Sequence, residues 1–363
     1  MPRQTPLMTT DHASDLAILI IRVSAIGDVL MASPVAQVLK ERYPHARISW
    51  IVEPLSAPLV YANPYVDDVI IIDIPSIVRS WRKKHFRETL RLIRQYIRIL
   101  RERHFDITID CQGLLKSGLI GWYSSAKHRI GPLPGAEGSQ VFINAPTRWP
   151  AHPTRLAEKY LAMLNPLGIP VTPRRLVLEV PDAEQDAARA FLAEHGLHDE
   201  RYVACCVSSS RPWKDWEWSR WGELADVLWK RESLRTVLIG GPEKRTQAEQ
   251  LCENRTSQPI SAVGQLSILQ SAAVVQGAVG VVGVDTGLTY AGMTRELPTI
   301  ALYGSTDATW LVDEPNTVIC YHKMPCSPCR RHPTCTHYDC MRAITVEEVV
   351  TALVEQLKLR QTI

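Results

Sequence analysis

A run of small and β-branched residues, V-G-V-V-G-V at 279–284, stops at Asp285-Thr286-Gly287 and passes into Leu288-Thr289-Tyr290, which opens a helical stretch. An apolar strand that ends in a tight turn and a helix start offers unpaired backbone N–H groups and the positive end of a helix dipole to an anion. A second segment of the same design lies near the N-terminus. There A-I-L-I-I-R-V at 17–23 breaks at Ser24-Ala25-Ile26-Gly27-Asp28 before another helical stretch. Either turn alone occurs in any α/β protein and carries little information. The pair implies two nucleotide-type α/β domains facing one cleft.

Alternation of strand-like and helical patterns supports that reading along the chain. Strands are expected at 17–23, 48–52, 69–74 and 107–110, and helices at 29–43 and 114–123. The stretch 131–153, rich in Pro and Gly, reads as loop, 154–167 as helix and 170–176 as linker. The scheme then repeats: strands at 202–207, 236–239, 280–284 and 299–303, and helices at 218–230 and 246–252. At 363 residues the chain exceeds the size of one ordinary core, and the expected domains are 1–170 and 171–363. No G-x-G-x-x-G follows either first strand and no G-x-x-x-x-G-K-[ST] is present, which counts against a dinucleotide oxidoreductase and a P-loop NTPase.

Several features bear on location. Residues 1–15 are polar and the first apolar run, 16–21, is short, so no secretory signal is read and a cytoplasmic protein is expected. Residues 256–284 carry no charge, but Gly, Pro, Gln and Ser interrupt them, which favours a buried helix and strand over a membrane span. The net charge of +3 conceals an asymmetry: ten Arg or Lys stand between Arg79 and Arg103, against only Glu88 and Glu102. Arg87, Arg91, Arg94, Arg98 and Arg101 fall on one helical face, while Leu90, Ile93, Ile97 and Leu100 fall on another. Two readings stand: a solvated helix face, or attraction to an anionic surface such as lipid head groups or a phosphorylated glycolipid. Without aromatic interleaving or a known motif, nucleic acid is not an expected partner.

Five segments taken together carry a resemblance. They are I-L-I-I-R-V-S-A-I-G-D-V-L (18–30), S-W-R-K-K (80–84), D-C-Q-G-L-L-K-S (110–117), W-K-D-W-E-W (213–218) and V-D-T-G-L-T (284–289). In combination they resemble the lipopolysaccharide heptosyltransferases of glycosyltransferase family 9. The resemblance implies two Rossmann-like domains of GT-B type, an N-terminal acceptor domain and a C-terminal nucleotide-sugar domain. The implied reaction is transfer of heptose from ADP-heptose, with inversion, to the lipid A/3-deoxy-octulosonic acid inner core of lipopolysaccharide. It implies an enzyme peripheral at the cytoplasmic face of the inner membrane, with an anionic membrane surface as a further partner. Alternatives are a same-fold transferase with another nucleotide sugar or a later core acceptor, and a non-catalytic nucleotide-sugar-binding protein. Two departures stand out: Tyr290 replaces the usual His, and the C-terminal cysteine cluster is closer to the second heptosyltransferase than to the first.

Inverting transfer requires a base for the acceptor hydroxyl and a cationic locus for the departing diphosphate. The resemblance gives the first role to Asp28; a carboxylate stabilised by a helix dipole is the plainer reading. Lys214 fits the second role, against an ordinary loop lysine. Ser209 and Ser210 are expected to donate to phosphate or to close a turn. The backbone of Thr286, Gly287 and Leu288 is expected to hold the diphosphate. Asp285, which would repel phosphate, is expected to accept sugar hydroxyls or fix the turn. Glu243, beyond Gly240-Gly241-Pro242, is a candidate for the ribose hydroxyls or a solvated loop residue. Arg79, Arg82, Lys83 and Lys116 are the acceptor-side candidates, because guanidinium and ammonium groups suit carboxylates and phosphates.

Of nine cysteines, expected to be mostly reduced thiols, Cys326, Cys329, Cys335 and Cys340 form C-x2-C-x5-C-x4-C. That spacing is compatible with tetrahedral zinc, with His332 and His337 as spare ligands; buried thiols are the other reading. The implied chemistry requires no metal or cofactor, and none is expected at the reacting centre.

Overall fold

The computed structural model describes residues 15–150, 154–198, 201–311, 314–329, 333 and 335–361. Its contacts divide the chain into two compact units, Met1–Glu179 and Val180–Ile363.

The first unit is built on β1 (Ala17–Ile21), β2 (Arg47–Val52), β3 (Asp68–Ile71), β4 (Ile107–Asp110), β5 (His128–Pro132) and β6 (Ala145–Thr147). These strands lie in the order β3-β2-β1-β4-β5-β6, parallel throughout. The central strand is apolar on both faces: Ile18, Leu19, Ile20 and Ile21 are all fully buried. Its continuous Ile and Leu run follows from helices covering both faces of a parallel sheet.

The second unit repeats the plan with β7 (Tyr202–Cys206), β8 (Arg235–Ile239), β9 (Ile260–Ser261), β10 (Gly280–Val284), β11 (Thr299–Tyr303) and β12 (Thr317–Tyr321). Their order is β12-β11-β10-β7-β8-β9, again all parallel. Both sheets thus run 3-2-1-4-5-6 in the chain order of their own strands. That order reverses between β1 and β4 in one unit and between β7 and β10 in the other. Ligands of open α/β sheets bind beyond the carboxyl ends of the strands at such reversals.

One glycine fixes the end of β10. A Cβ on Gly283 would lie 2.1 Å from Thr289 Oγ1 and 2.8 Å from the Cys206 Cβ. The Thr289 hydroxyl donates to the Val284 carbonyl at 2.7 Å, drawing the start of the helix Gly287–Met293 onto the strand. Gly283→Ala is expected to cost about 1–3 kcal/mol, as overpacking does. Thermal or denaturant melting of the purified variant measures it, and an unchanged midpoint would contradict the close approach.

Elsewhere the structure refines the expected elements. The helix expected at 29–43 is two, Ile26–Met31 and Pro34–Arg42, because Pro34 lacks the N–H an interior position needs and starts the second. The basic segment is likewise two helices, Ile74–Arg82 and Phe86–Glu102, with Lys84 between them in the left-handed region at φ 60°. The stretch read as loop at 131–153, whose last three residues lie outside those described, contains the end of β5, a short turn of helix (Ser139–Phe142) and the edge strand β6. The segment read as linker is bound to the first unit, where Val177 N–H donates to Ser33 Oγ at 2.7 Å and Glu179 N–H to the Ala62 carbonyl at 2.8 Å. The strand β12 and the helices Asp182–Glu194 and Val346–Gln361 were not anticipated.

Candidate active site

In the first unit Asp28 sits in the first turn of the helix after β1. Both of its carboxylate oxygens are engaged: Oδ2 pairs with the Arg22 guanidinium, and Oδ1 accepts from the Tyr160 hydroxyl at 2.9 Å. Arg22 is 8% exposed, donates through Nη1 to the Cys111 carbonyl at 3.1 Å, and lies 5.2 Å from the Tyr160 ring centre. A buried guanidinium is retained only where charge and hydrogen bonds compensate its lost hydration, and Asp28 supplies that charge. Burial, more than the charge of Asp28, holds the Tyr160 phenol well above its ordinary pKa despite Arg22 working the other way, so it remains a proton donor to the carboxylate.

At the neighbouring switch-point strand, buried Asp110 accepts from the backbone N–H of Gln112 at 2.8 Å and of Gly113 at 2.9 Å, and from the Ser117 hydroxyl at 2.9 Å. These bonds shape the turn that carries Lys116. The Lys116 ammonium lies 3.4 Å from Glu53 Oε1 and 3.5 Å from Ser24 Oγ, in the loop that leads to Asp28. Lys116 then joins Arg79, Arg82 and Lys83 around one groove of about 610 Å³, whose remaining wall is Glu53, Ile74, Pro75 and Val78. All four acceptor-side candidates therefore meet in a single depression, with one carboxylate among them.

The basic helix Phe86–Glu102 presents Arg87, Arg91, Arg94, Arg98 and Arg101 to solvent. Its apolar side is less covered than the spacing implies. Leu100 is buried, but Leu90 is 50% exposed, and Tyr96 and Ile99 join the core beside Leu100. Next to Leu90, Trp81 and Phe86 are exposed and meet edge to face, with ring centres 5.1 Å apart.

In the second unit the candidates cluster beyond β7, β8 and β10. Lys214 closes the short turn Pro212–Lys214 and places its ammonium 2.5 Å from Asp285 Oδ2. The other oxygen, Asp285 Oδ1, accepts from Tyr290 and, at 3.4 Å, from Tyr303, while the two phenols are 2.8 Å apart. Asp285 is followed by Thr286, which precedes the helix Gly287–Met293, so Gly287 and Leu288 supply its first N–H groups.

Ser209 closes a turn: its hydroxyl donates to the Arg211 carbonyl at 2.8 Å, and its N–H donates to Asp215 Oδ1 at 2.9 Å. Asp215 is also 3.0 Å from the Lys244 ammonium. Ser210 and Glu243 are exposed, and the Glu243 carboxylate folds back over Gly241.

The four C-terminal thiols are free, as are the other five cysteines. Burial is the main cause raising Cys329 and Cys340 above the ordinary thiol pKa, and the neighbouring thiols add to it. Among the described residues no three His, Cys, Asp or Glu side chains gather as a metal site; His332 lies outside those residues.

Sequence reading missed Arg22, Tyr160, Glu53 and Tyr303. Arg22 had a signal, a charge within an otherwise apolar strand. Tyr160 and Tyr303 had none, since only the fold brings them to their carboxylates.

Two parallel sheets of this order, with polar groups gathered at both reversals, define an α/β protein of GT-B type. The family model for glycosyltransferase family 9 (heptosyltransferase) matches residues 93–338, and the chain belongs to that family. It is 26% identical over 335 residues to lipopolysaccharide heptosyltransferase 1 of Pseudomonas aeruginosa, covering 89% of this chain and 88% of that one. Its fold is similar to that of a family 9 glycosyltransferase from Veillonella parvula, with a TM-score of 0.78, 21% identity, and 96% and 99% of the two chains covered. It is also similar to E. coli heptosyltransferase WaaC solved with ADP-2-deoxy-2-fluoro heptose, with a TM-score of 0.71, 22% identity, and 94% and 99% covered.

Proposed function

We propose that this heptosyltransferase moves heptose from ADP-heptose to the lipid A/3-deoxy-octulosonic acid inner core of lipopolysaccharide, with inversion and without a metal ion. The observation that carries the reading is the Lys214 ammonium, 2.5 Å from Asp285, the residue that stands two places before Gly287 at the N–H groups of the helix start. A cation and backbone donors at a switch point suit a diphosphate whose charge grows as the bond to the sugar breaks. The ADP-sugar found with a similar heptosyltransferase supports the donor.

In this reading Asp28 takes the proton of the acceptor hydroxyl as that oxygen bonds to the anomeric carbon. Arg22 and Tyr160 fix the orientation of the carboxylate and leave its remaining lone pairs for the proton. Ser209 shapes the loop before Lys214, Ser210 and Glu243 face the nucleotide, and Asp285 steadies the ammonium. Arg79, Arg82, Lys83 and Lys116 hold the carboxylates and phosphates of the acceptor, their shared groove supporting that assignment. In this scheme the first unit, to Glu179, is the acceptor domain and the second, from Val180, is the donor domain. No helix among the described residues is long and apolar enough to cross a membrane. The exposed arginines of Phe86–Glu102 hold the enzyme against anionic lipid at the cytoplasmic face of the inner membrane.

Transfer to truncated lipopolysaccharide is expected to survive prolonged EDTA treatment, because Lys214 and the helix start serve where a divalent cation otherwise would. The measurement is product mass over time before and after chelation. Activity lost on chelation and restored by magnesium or manganese contradicts the metal-free mechanism.

A further inference from the structure

Among the described residues Lys214 pairs with Asp285, whose second oxygen is held by two phenols rather than by a second cation. Both phenols are deeply buried, Tyr290 at 6% and Tyr303 at 1% exposure, and because each has one proton, Tyr303 shares its own between Asp285 Oδ1 and the Tyr290 oxygen 2.8 Å away. They come from separate elements, Tyr290 from the helix Gly287–Met293 and Tyr303 from the end of β11, so each is anchored independently. The Lys214 ammonium meets the other oxygen of the carboxylate and is partly open to solvent.

We propose that Tyr290 and Tyr303 are positioning residues, which hold Asp285 and carry its negative charge when Lys214 turns from it to the donor diphosphate. This rests on the reading that Lys214 meets the diphosphate. In the free protein Lys214 and the phenols share the charge of Asp285. Once the ammonium serves phosphate, the phenols alone stabilise a carboxylate largely withdrawn from water, where an unpaired charge is costly. Neutral donors suit the task, because a guanidinium in their place would add a fixed positive charge beside the diphosphate and oppose its release. Burial, together with the charge of Asp285, raises the Tyr290 pKa well above its ordinary value, so the phenol stays a donor throughout the physiological range.

ADP alone is the probe, titrated by calorimetry into the full-length protein, with melting recorded for each variant. Hydrogen bonds to charged groups are strong enough for loss of one to register, and Tyr290→Phe is expected to weaken ADP binding about tenfold. In an Asp285→Asn background the same change should shift ADP binding less than twofold, since no charge remains to be carried. A merely structural tyrosine would weaken binding equally in both backgrounds, and that result overturns the proposal. So does unchanged ADP binding in Tyr290→Phe. If Tyr290→Phe does not fold, Tyr303→Phe serves in the same cycle, with a smaller expected effect of about threefold because its bond to Asp285 is longer. Lys214→Met separates the two levels of the argument. ADP binding unaffected by that change overturns the Lys214 reading and the proposal with it. Weakened binding in Lys214→Met with equal Tyr290 effects in both backgrounds overturns the proposal alone.

Discussion

Asp28→Asn is expected to lower turnover by roughly 10²–10⁴ while leaving donor affinity nearly unchanged, the usual worth of a positioned general base. Asparagine keeps the shape and retains an oxygen to accept from Tyr160, which now donates to Asp28 at 2.9 Å. It loses the proton acceptor and also the charge that Arg22 pairs with. Buried Arg22 would then lack its counter-charge, so some loss of stability is expected and melting should accompany the kinetics. ADP binding provides the internal control, because the groups assigned to the diphosphate belong to the second unit. A folded variant that retains a tenth or more of wild-type turnover sinks the assignment of Asp28 as base.

Replacing Arg91, Arg94 and Arg98 together with Gln is expected to weaken binding to anionic vesicles roughly a hundredfold at moderate salt. Each basic residue near an anionic bilayer contributes about 1 kcal/mol, and all three are exposed. Raising the salt should shrink the difference, because exposed charges are screened over about 10 Å at 0.1 M. Trp81, Phe86 and Leu90 add apolar surface beside this charge, exposed at 60%, 49% and 50%. Such a combination favours the interfacial plane over simple solvation. ADP binding should be unaffected. Vesicle binding indifferent to the triple substitution would reduce the helix to a solvated face and leave acceptor capture to the groove of Arg79, Arg82, Lys83 and Lys116.

The central strands were legible because burial on both faces leaves a continuous apolar run with nothing else to be. That is why β1 and β10, and with them Asp28 and Asp285, stood out in the sequence. Helix interruptions at Ser33–Pro34 and around Lys84 were harder, since helical periodicity carries through a break that Pro34 and a left-handed residue impose. The edge strand β6 has three residues and a proline, so no local pattern separates it from loop. The chemistry around each carboxylate was least legible. Tyr160 reaches Asp28 across 132 residues and Lys214 reaches Asp285 across 71, separations that only a completed sheet closes. Tyr290 registered in sequence as a departure at an expected histidine; its contacts give it a partner, Asp285, that spacing did not suggest.

Donor and acceptor preference is read from kcat/KM for a panel of nucleotide sugars, each offered with truncated lipopolysaccharide ending at 3-deoxy-octulosonic acid and scored by product mass. The prediction is that ADP-heptose is preferred, that the acceptor gains a single heptose, and that both Asp28→Asn and Lys214→Met suppress this product. Efficient transfer from a different nucleotide sugar, or of heptose only to an acceptor already carrying heptose, would contradict it.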